Sequence, residues 1–449
     1  MKKYILIILA FTVATTVFTI KTNAQTSASK TGWKLLFDES MEYYDFMEYS
    51  NALRGFKRLL IKDKSNSNIN FYIGMCYYYT RKKSSAVIPY LVKATKSVNP
   101  AYSYTYRETS APVFSYFYLG QMYMYNYRFD DAIKAFESFK SYLTDKNRDA
   151  KYLIDVELHL NYCKNAIELY ANKKDNIKIT PLKIINTKYN ETHPSYDPMM
   201  EILYYSCDKR GSMGGQIAPD TYNPDIYYSK KKGNRWYRPR RLSHRISSAT
   251  IDNVCSISGS HAYMVFERDK KKNSELWVVK KTQKGKWKGP GILSQNINTS
   301  DNETSGYISI DNKSLIFVSD RPGGYGGKDI YMSERLPSGD WGRPYNLGAT
   351  VNSIYDEDYP FFLPDGVTLF FSSNGPNSMG GYDVFSSTLS EDGFWTEPEN
   401  LGYPINTPTD DTHFILLEDR SKGYYSSGKE SHKGAYINDA DIYEIEFKK

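Results

Sequence analysis

The stretch Phe317-Val318-Ser319-Asp320-Arg321-Pro322-Gly323-Gly324-Tyr325-Gly326-Gly327-Lys328-Asp329-Ile330-Tyr331 sets two strand-like runs on either side of a glycine-dense turn. Fifty-four residues later, Phe371-Ser372-Ser373-Asn374-Gly375-Pro376 through Gly380-Gly381-Tyr382-Asp383 repeats it. Short β-branched and aromatic runs split by Gly, Pro, Asn and Asp mark all-β structure, and the pattern holds from Ile177 to the end. Three columns recur. Trp236, Trp287, Trp341 and Trp395 are 51, 54 and 54 residues apart, each with a proline at +3 and a leucine at +6. An acidic-apolar-aromatic triplet recurs at Asp225, Glu275, Asp329, Asp383 and Asp441. Apolar runs before a turn recur at Leu203–Ser206, Leu315–Val318 and Leu369–Ser372. Five units of about 50 residues, each of three or four strands, predict a β-propeller, which closes radially and leaves few exposed edges.

The ends of this region predict how the ring closes. The fifth unit ends at Phe447 without a Trp-x-x-Pro-x-x-Leu strand, whereas Ile177–Ile185 is a strand with no repeat body ahead of it. Pairing the two would fasten a five-bladed propeller over 177–449.

Residues 31–172 have helical periodicity instead. Ala52 and Phe56 match Ala86 and Tyr90 at a spacing of 34, and Gly74, Tyr77, Ala86 and Tyr90 match Gly120, Tyr123, Ala132 and Phe136 at 46. The extra 12 residues fit in Asn99–Pro112 as a loop. A small residue with an aromatic four positions on suits two antiparallel helices at close approach. Three such units and a closing helix near Ala150–Tyr170 predict a stacked solenoid with a concave groove. Tyr77, Tyr78, Tyr123 and Tyr127 are its candidate groove residues.

Lys2 and Lys3, the apolar run Tyr4–Ile20 and the small residues of Thr22-Asn23-Ala24 read as a signal peptide over 1–24. The absence of a cysteine after the run argues against a lipid-anchored lipoprotein. No later segment reaches 18 consecutive apolar residues, so the mature chain is expected to be exported without a transmembrane span. Cys76, Cys163, Cys207 and Cys255 form no CxxC pair and sit at no metal-ligand spacing, which reads as buried free thiols.

The net charge of +7 hides two sectors. Lys209–Lys288 holds 19 Lys+Arg against 6 Asp+Glu, and Gly289–Lys449 holds 11 against 25. Lys230, Lys231, Lys232, Arg238, Arg240, Arg241, Lys270, Lys271 and Lys272 make a candidate basic partner surface. Export argues against nucleic acid and for envelope proteins, with an anionic envelope polymer as a further candidate. In the 54-residue register Glu303, Glu357 and Asp411 are equivalent, and counting back adds Glu191 and Asp252. These five acids begin the innermost strands and are placed around one channel mouth. Either they accept backbone N–H groups at a turn, or they present a negative funnel to a cation or a basic segment.

Gly323–Gly327 lacks the helix and Lys-Ser/Thr ending of a phosphate loop, so it reads as a tight turn needing positive φ. Catalysis by a five-bladed glycosidase needs two carboxylates in unlike environments, whereas acids repeated in every blade point to architecture. No cofactor or metal is expected.

The 317–331 stretch and its copy resemble the WD40-like repeat of TolB-type propellers, and the helical units resemble the tetratricopeptide repeat (TPR). An exported chain of this order resembles the TPR–propeller–OmpA-like envelope proteins, some associated with type IX secretion. It departs from them in showing no OmpA-like domain after the propeller, so the direct peptidoglycan binding which that family implies is not expected to carry over. The expected architecture is thus α + β and multidomain: a TPR-like α-solenoid, then a five-bladed propeller closed near 177–185. The expected function is a non-enzymatic interaction scaffold in the periplasm, extending to the outer membrane. Envelope proteins or peptide segments would bind the helical groove and a propeller face. The alternative is a carbohydrate-binding or glycoside-processing propeller with a TPR docking arm.

Overall fold

The computed structural model describes residues 30–80, 84–218, 221–258, 260–270, 273–428 and 440–448. The signal-peptide reading of 1–24 lies outside them.

Among the described residues seven helices come first: α1 Lys30–Asp45, α2 Tyr49–Lys62, α3 Ser67–Tyr79, α4 Ser84–Ala94, α5 Phe114–Tyr125, α6 Phe129–Ser141 and α7 Ala150–Ala171. Each packs on the next. The repeated positions are the packing positions. A Cβ on Gly120 would lie 2.6 Å from the Phe136 ring, and one on Gly74 would lie 3.0 Å from Leu91. The glycines therefore let α5 and α3 approach their partner helices. Phe56 stacks on Tyr72 with centroids 4.9 Å apart, in a core that also buries Phe37, Leu59 and Ile73. Asn66 caps α3 by accepting the Ile69 N–H.

The insertion between α4 and α5 is a knitted loop. Val98–Asn99 pairs in parallel with Ala111–Pro112. Tyr102 Oη donates to Asn68 Oδ1 at 2.6 Å, and Trp33 Nε1 donates to the Tyr106 carbonyl. The loop thus folds back over the first turns of α1 and α3.

Among the described residues five antiparallel blade sheets follow, with a two-stranded pair, Gln216–Ala218 and Thr221–Tyr222, inserted in blade one. Their innermost strands are Glu191–Asp197, Asp252–Ile257, Glu303–Ile308, Glu357–Phe362 and Asp411–Leu416. Each touches the next around the ring, and the fifth touches the first. The last blade takes its outer strand from before the first: Ile177–Pro181 pairs antiparallel with Asp441–Phe447, Ile179 opposite Ile445. The five-bladed ring and its closing strand are as the sequence predicts. The column tryptophans sit beside the third strands, where Trp287, Trp341 and Trp395 bridge to Lys281, Arg335 and Leu389.

Helices and propeller meet along α7. Asn165 Nδ2 donates to the carbonyls of Pro376 (2.6 Å) and Ser378 (2.8 Å), and Tyr162 Oη donates to that of Asn374. Met379, fully buried, enters a cluster with Phe139, Leu160, Cys163 and Ala166. Tyr170 packs on Tyr403 at 4.8 Å. The glycine-dense turn of blade four is therefore also the docking element for the helices.

Candidate functional site

The five acids begin the five innermost strands, and each is at most 1% exposed. Their partners are the same in every blade. Thr187, Ser248, Thr299, Ser353 and Thr407, four residues upstream, each donate a backbone N–H and a hydroxyl to the acid. A second-strand side chain adds a further bond from Cys207, Ser319 or Ser373 in blades one, three and four. Blade two instead uses Arg268, 2.7 Å from Asp252, and Arg321 stands 3.2 Å from Glu303. Carboxylates buried and bonded this way fix the turn that leads into each blade. That is the turn-fixing geometry, and the five present no open ring to the channel. Burial raises the carboxyls of Asp252, Glu303 and Glu357, and lifts Glu191 to about 7.

Asn298, Asn352 and Asn406 are equivalent in the same 54-residue register, and the structure shows what their column does. Asn186, Asn298, Asn352 and Asn406 each sit five residues before the acid, and each grips the third strand of the preceding blade with both ends of its amide. Asn352 Oδ1 accepts the Ile330 N–H (2.8 Å), and its Nδ2 donates to the Ile330 carbonyl (2.9 Å). Asn298 does the same to Leu276, Asn406 to Val384, and Asn186 to Ile442 across the ring closure. The equivalent residue after blade one is Ser247, too short to bridge. The spacing Asn-Ser/Thr-x-x-x-acid was visible in the sequence.

The glycine-dense turn needs a correction. Within Gly323–Gly327 only Gly323 has a positive φ, +94°. A Cβ on Gly326 would meet the Tyr355 carbonyl oxygen at 2.2 Å, and one on Gly327 would meet Asp356 Oδ1 at 2.2 Å. Close approach to the next blade, more than φ, demands these glycines. The turn's N–H groups point at the chain's own acid: Asp329 accepts those of Tyr325 (2.6 Å) and Gly326 (3.1 Å).

The basic residues converge only in part. Lys230, Lys231, Lys232, Arg238 and Arg240 line one cleft of about 830 Å³ with Glu201, Tyr228 and Tyr237. Lys231 is committed to Glu444 (2.9 Å) and Trp236. Arg241 is turned away to Asp225 and the Gly211 carbonyl. Lys271 and Lys272 lie outside the described residues, as does the side chain of Lys270. Of the cleft-lining basic residues, Lys230, Lys232, Arg238 and Arg240 are exposed.

The four candidate groove tyrosines do not share a face. Tyr78 packs toward Tyr118 of α5 (5.6 Å), whereas Tyr77 packs on Tyr90 and Lys57. Tyr123 lies under the Arg128 guanidinium at 4.3 Å. Tyr127 joins Tyr170 and Tyr403 at the propeller boundary. Neighbours in sequence on a helix point about 100° apart, so a run of tyrosines is divided among faces.

The channel between the innermost strands is stopped partway. His193, Tyr359 and His413, from blades one, four and five, pack with His413 in the middle: 3.7 Å from His193 and 3.6 Å from Tyr359, ring centre to ring centre. All three have positive φ, 55–57°, at strand bulges. Beside them Asp358, fully buried, receives Lys328 Nζ (2.6 Å) and Ser305 Oγ (2.6 Å). Burial, with Lys328 nearby, pushes His193 down to about 3 and His413 well below its ordinary range. Beyond them, toward the ends of the innermost strands, opens a cavity of about 490 Å³.

The chain thus combines a domain of stacked helix pairs with a five-bladed β-propeller. No family model matches it, and no curated protein is a recognisable relative. Among solved structures it is similar to a TolB-type protein from Agrobacterium tumefaciens, at 17% identity over 56% of this chain and 76% of that one, TM-score 0.37. It is similar to the Yersinia enterocolitica type III secretion chaperone SycD, solved with a peptide of the translocator YopD, at 15% identity over 31% of this chain and 97% of that one, TM-score 0.25. It is also similar to an α-L-arabinofuranosidase from Lactobacillus brevis, at 13% identity over 59% of this chain and 92% of that one, TM-score 0.37. At these identities the likeness is one of fold and assigns no activity. Among the described residues, no helix is long and apolar enough to cross a membrane.

Proposed function

We propose that this protein is a non-enzymatic interaction scaffold of the bacterial cell envelope. In this reading it belongs to an outer-membrane or secretion-associated assembly of the type IX kind, and acts in the periplasm. Its propeller holds an acidic partner on blade one, and its helical domain holds a second protein or peptide segment. One observation carries the reading. The five repeat-borne carboxylates are spent on turns, while Lys230, Lys232, Arg238 and Arg240 remain exposed around a cleft with no matching acid beyond Glu201. Charges left in solvent on one sector recruit and orient an oppositely charged partner.

The test is crosslinking in the native envelope followed by affinity purification, with wild type beside a Lys230→Glu, Lys232→Glu, Arg238→Glu, Arg240→Glu variant. One defined protein partner, recovered with wild type and reduced at least tenfold with the variant, is the expected result. Recovery of no partner, or equal recovery with both chains, would overturn the reading.

A further inference from the structure

Blades one and four carry opposite charges at the same repeat positions. The second and fourth residues after the column tryptophan are Arg238 and Arg240 on blade one, and Glu397 and Glu399 on blade four. Arg240 stands opposite Tyr228 and Glu399 opposite Ser386, each three residues past its blade's triplet acid, so the places are the same. Blade two has Gly289 and Gly291 there, and blade three has Arg343 and Tyr345. The fold itself therefore does not ask for a pair of like charges. All four charged side chains are exposed, and among the described residues none of them is closed in an ion pair.

The hairpins leading into the two tryptophans complement each other in shape as well. On blade four Ser390–Phe394 is a tight turn. Gly393, at φ +82°, donates its N–H to the Ser390 carbonyl, and Ser390 donates its own to the carbonyl of Phe394. The turn holds the Phe394 side chain 74% exposed, with Glu391 and Asp392 exposed beside it. Blade one has a concavity there instead: the cleft of about 830 Å³, where Tyr228 and Tyr237 stand among Lys230, Lys232, Arg238 and Arg240. A ring flanked by acids suits a cleft of aromatic rings and cationic side chains, whose stems cover its edge and whose charged ends meet its face.

We propose that the occupant of the blade-one cleft is a second copy of this chain, which inserts Phe394 and sets Glu397 and Glu399 against Arg238 and Arg240. This names the partner of the surface proposed above, and so rests on the reading of that cleft as a docking site. The ring supplies the anchor, and the paired charges supply orientation and speed of encounter. The two patches lie on different blades, so the contact is heterologous: each copy keeps one patch free, and copies add head to tail. The helical domain leaves the hairpin clear. It docks at the end of blade four where Ser373 pairs with Asp383, and the hairpin follows Thr388 at the opposite end of the same strands.

The test is sedimentation velocity of the purified protein over a dilution series, in about 0.05 M and about 0.5 M salt. Wild type should self-associate as concentration rises, at least tenfold more weakly in the higher salt. Arg238→Glu with Arg240→Glu, and separately Glu397→Lys with Glu399→Lys, should each weaken association at least tenfold without moving the thermal midpoint. Mixing these two variants should restore it, because each then meets the sign it lacks. Phe394→Ser should weaken it at least tenfold at both salt concentrations. A wild type that stays monomeric, variants that associate like wild type, or a mixture that stays monomeric would each overturn the proposal. Should wild type stay monomeric while a different acidic protein is recovered from the envelope through the cleft, this proposal falls and the scaffold reading stands. Self-association of the purified protein with no partner recovered from the envelope would uphold the contact and remove only the envelope role.

Discussion

Both halves of the chain are made of repeats, but the repeated positions are held by different forces. In the helical half, Gly74, Gly120, Ala132 and Phe136 are repeat positions whose role is shape. In the propeller they are Asn352, Ser353, Glu357 and Asp383, nearly all buried and all hydrogen-bonded. The solenoid grows by stacking apolar faces, so its repeat can drift in spacing, and it accepts the Val98–Pro112 insertion. The propeller must bring five blades to one axis and close, so each junction is set by directional bonds that tolerate little drift. Substitutions in the two halves should therefore fail differently.

The largest effect is expected in the helices. Phe136 is fully buried, with Phe117 at 5.6 Å and His159 at 5.2 Å against its ring. Phe136→Ala should cost about 3–5 kcal/mol, a transfer loss plus a cavity. Far-ultraviolet circular dichroism should show the helical signal melting ahead of the sheet. A single cooperative transition at the wild-type midpoint would contradict it.

Next comes the propeller's equivalent. Asn352→Ala leaves the N–H of buried Ile330 unbonded, while its carbonyl keeps the Leu347 N–H, and should cost about 1–3 kcal/mol in denaturant unfolding. Asn352→Leu should be no better, because added apolar area gives the Ile330 N–H no acceptor. A Leu variant that recovers wild-type stability would make this junction a packing site like those of the helices, and would dissolve the contrast.

The same contrast explains what the sequence made legible. Periodic apolar and aromatic columns announced both architectures, and the missing outer strand of the fifth unit predicted the closure at Ile177–Pro181. Side-chain direction was less accessible. Tyr77, Tyr78, Tyr123 and Tyr127 share a residue type but not a face, because helix rotation and the docking of α7 decide where each ring goes. Arg241 and Lys231 counted as surface charge and turned out to hold Asp225 and Glu444. The histidine–tyrosine stop was invisible, since it joins positions 166 and 54 residues apart that coincide only when the ring closes. The Asn-Ser/Thr-x-x-x-acid spacing was there to be read. It is a hydrogen-bond pattern rather than a hydropathy pattern, so the 54-residue register aligns Asn298, Asn352 and Asn406 without showing that they grip the neighbouring blade.

A pH experiment sharpens the comparison within the propeller. Glu191 has no cation against it, only Thr187 and the Cys207 thiol, and its folded pKa of about 7 exceeds the ordinary glutamate value. A folded-state pKa that is raised for an acid means that the folded protein binds the extra proton. That contribution is complete below about pH 4.3 and fades as pH rises through 7. Glu191→Gln should therefore gain on wild type between pH 5 and 8 in thermal midpoint. Glu303→Gln, which strands Arg321, should lose at every pH in that range. Parallel curves for the two variants would mean that the cation makes no difference between blades.

The smallest effect belongs to the closing strand. Glu446 accepts Lys178 Nζ at 2.7 Å and Lys422 Nζ at 2.6 Å, so it ties the outer strand to the last blade at the surface. Those hydrogen bonds hold its pKa at about 2, below the ordinary value. The sign is opposite to that of Glu191: the contribution is present above about pH 4.3 and is lost as pH falls toward 2. Solvent screens such a pair, so Glu446→Gln should cost under about 1 kcal/mol at neutral pH. The cost should shrink in 0.5 M salt and vanish in acid. Closure then rests on the backbone ladder from Ile177 to Pro181 and on Asn186 gripping Ile442. Asn186→Ala should cost more than Glu446→Gln in the same denaturant titration. The reverse order would mean that surface charge, not the buried amide, holds the ring shut.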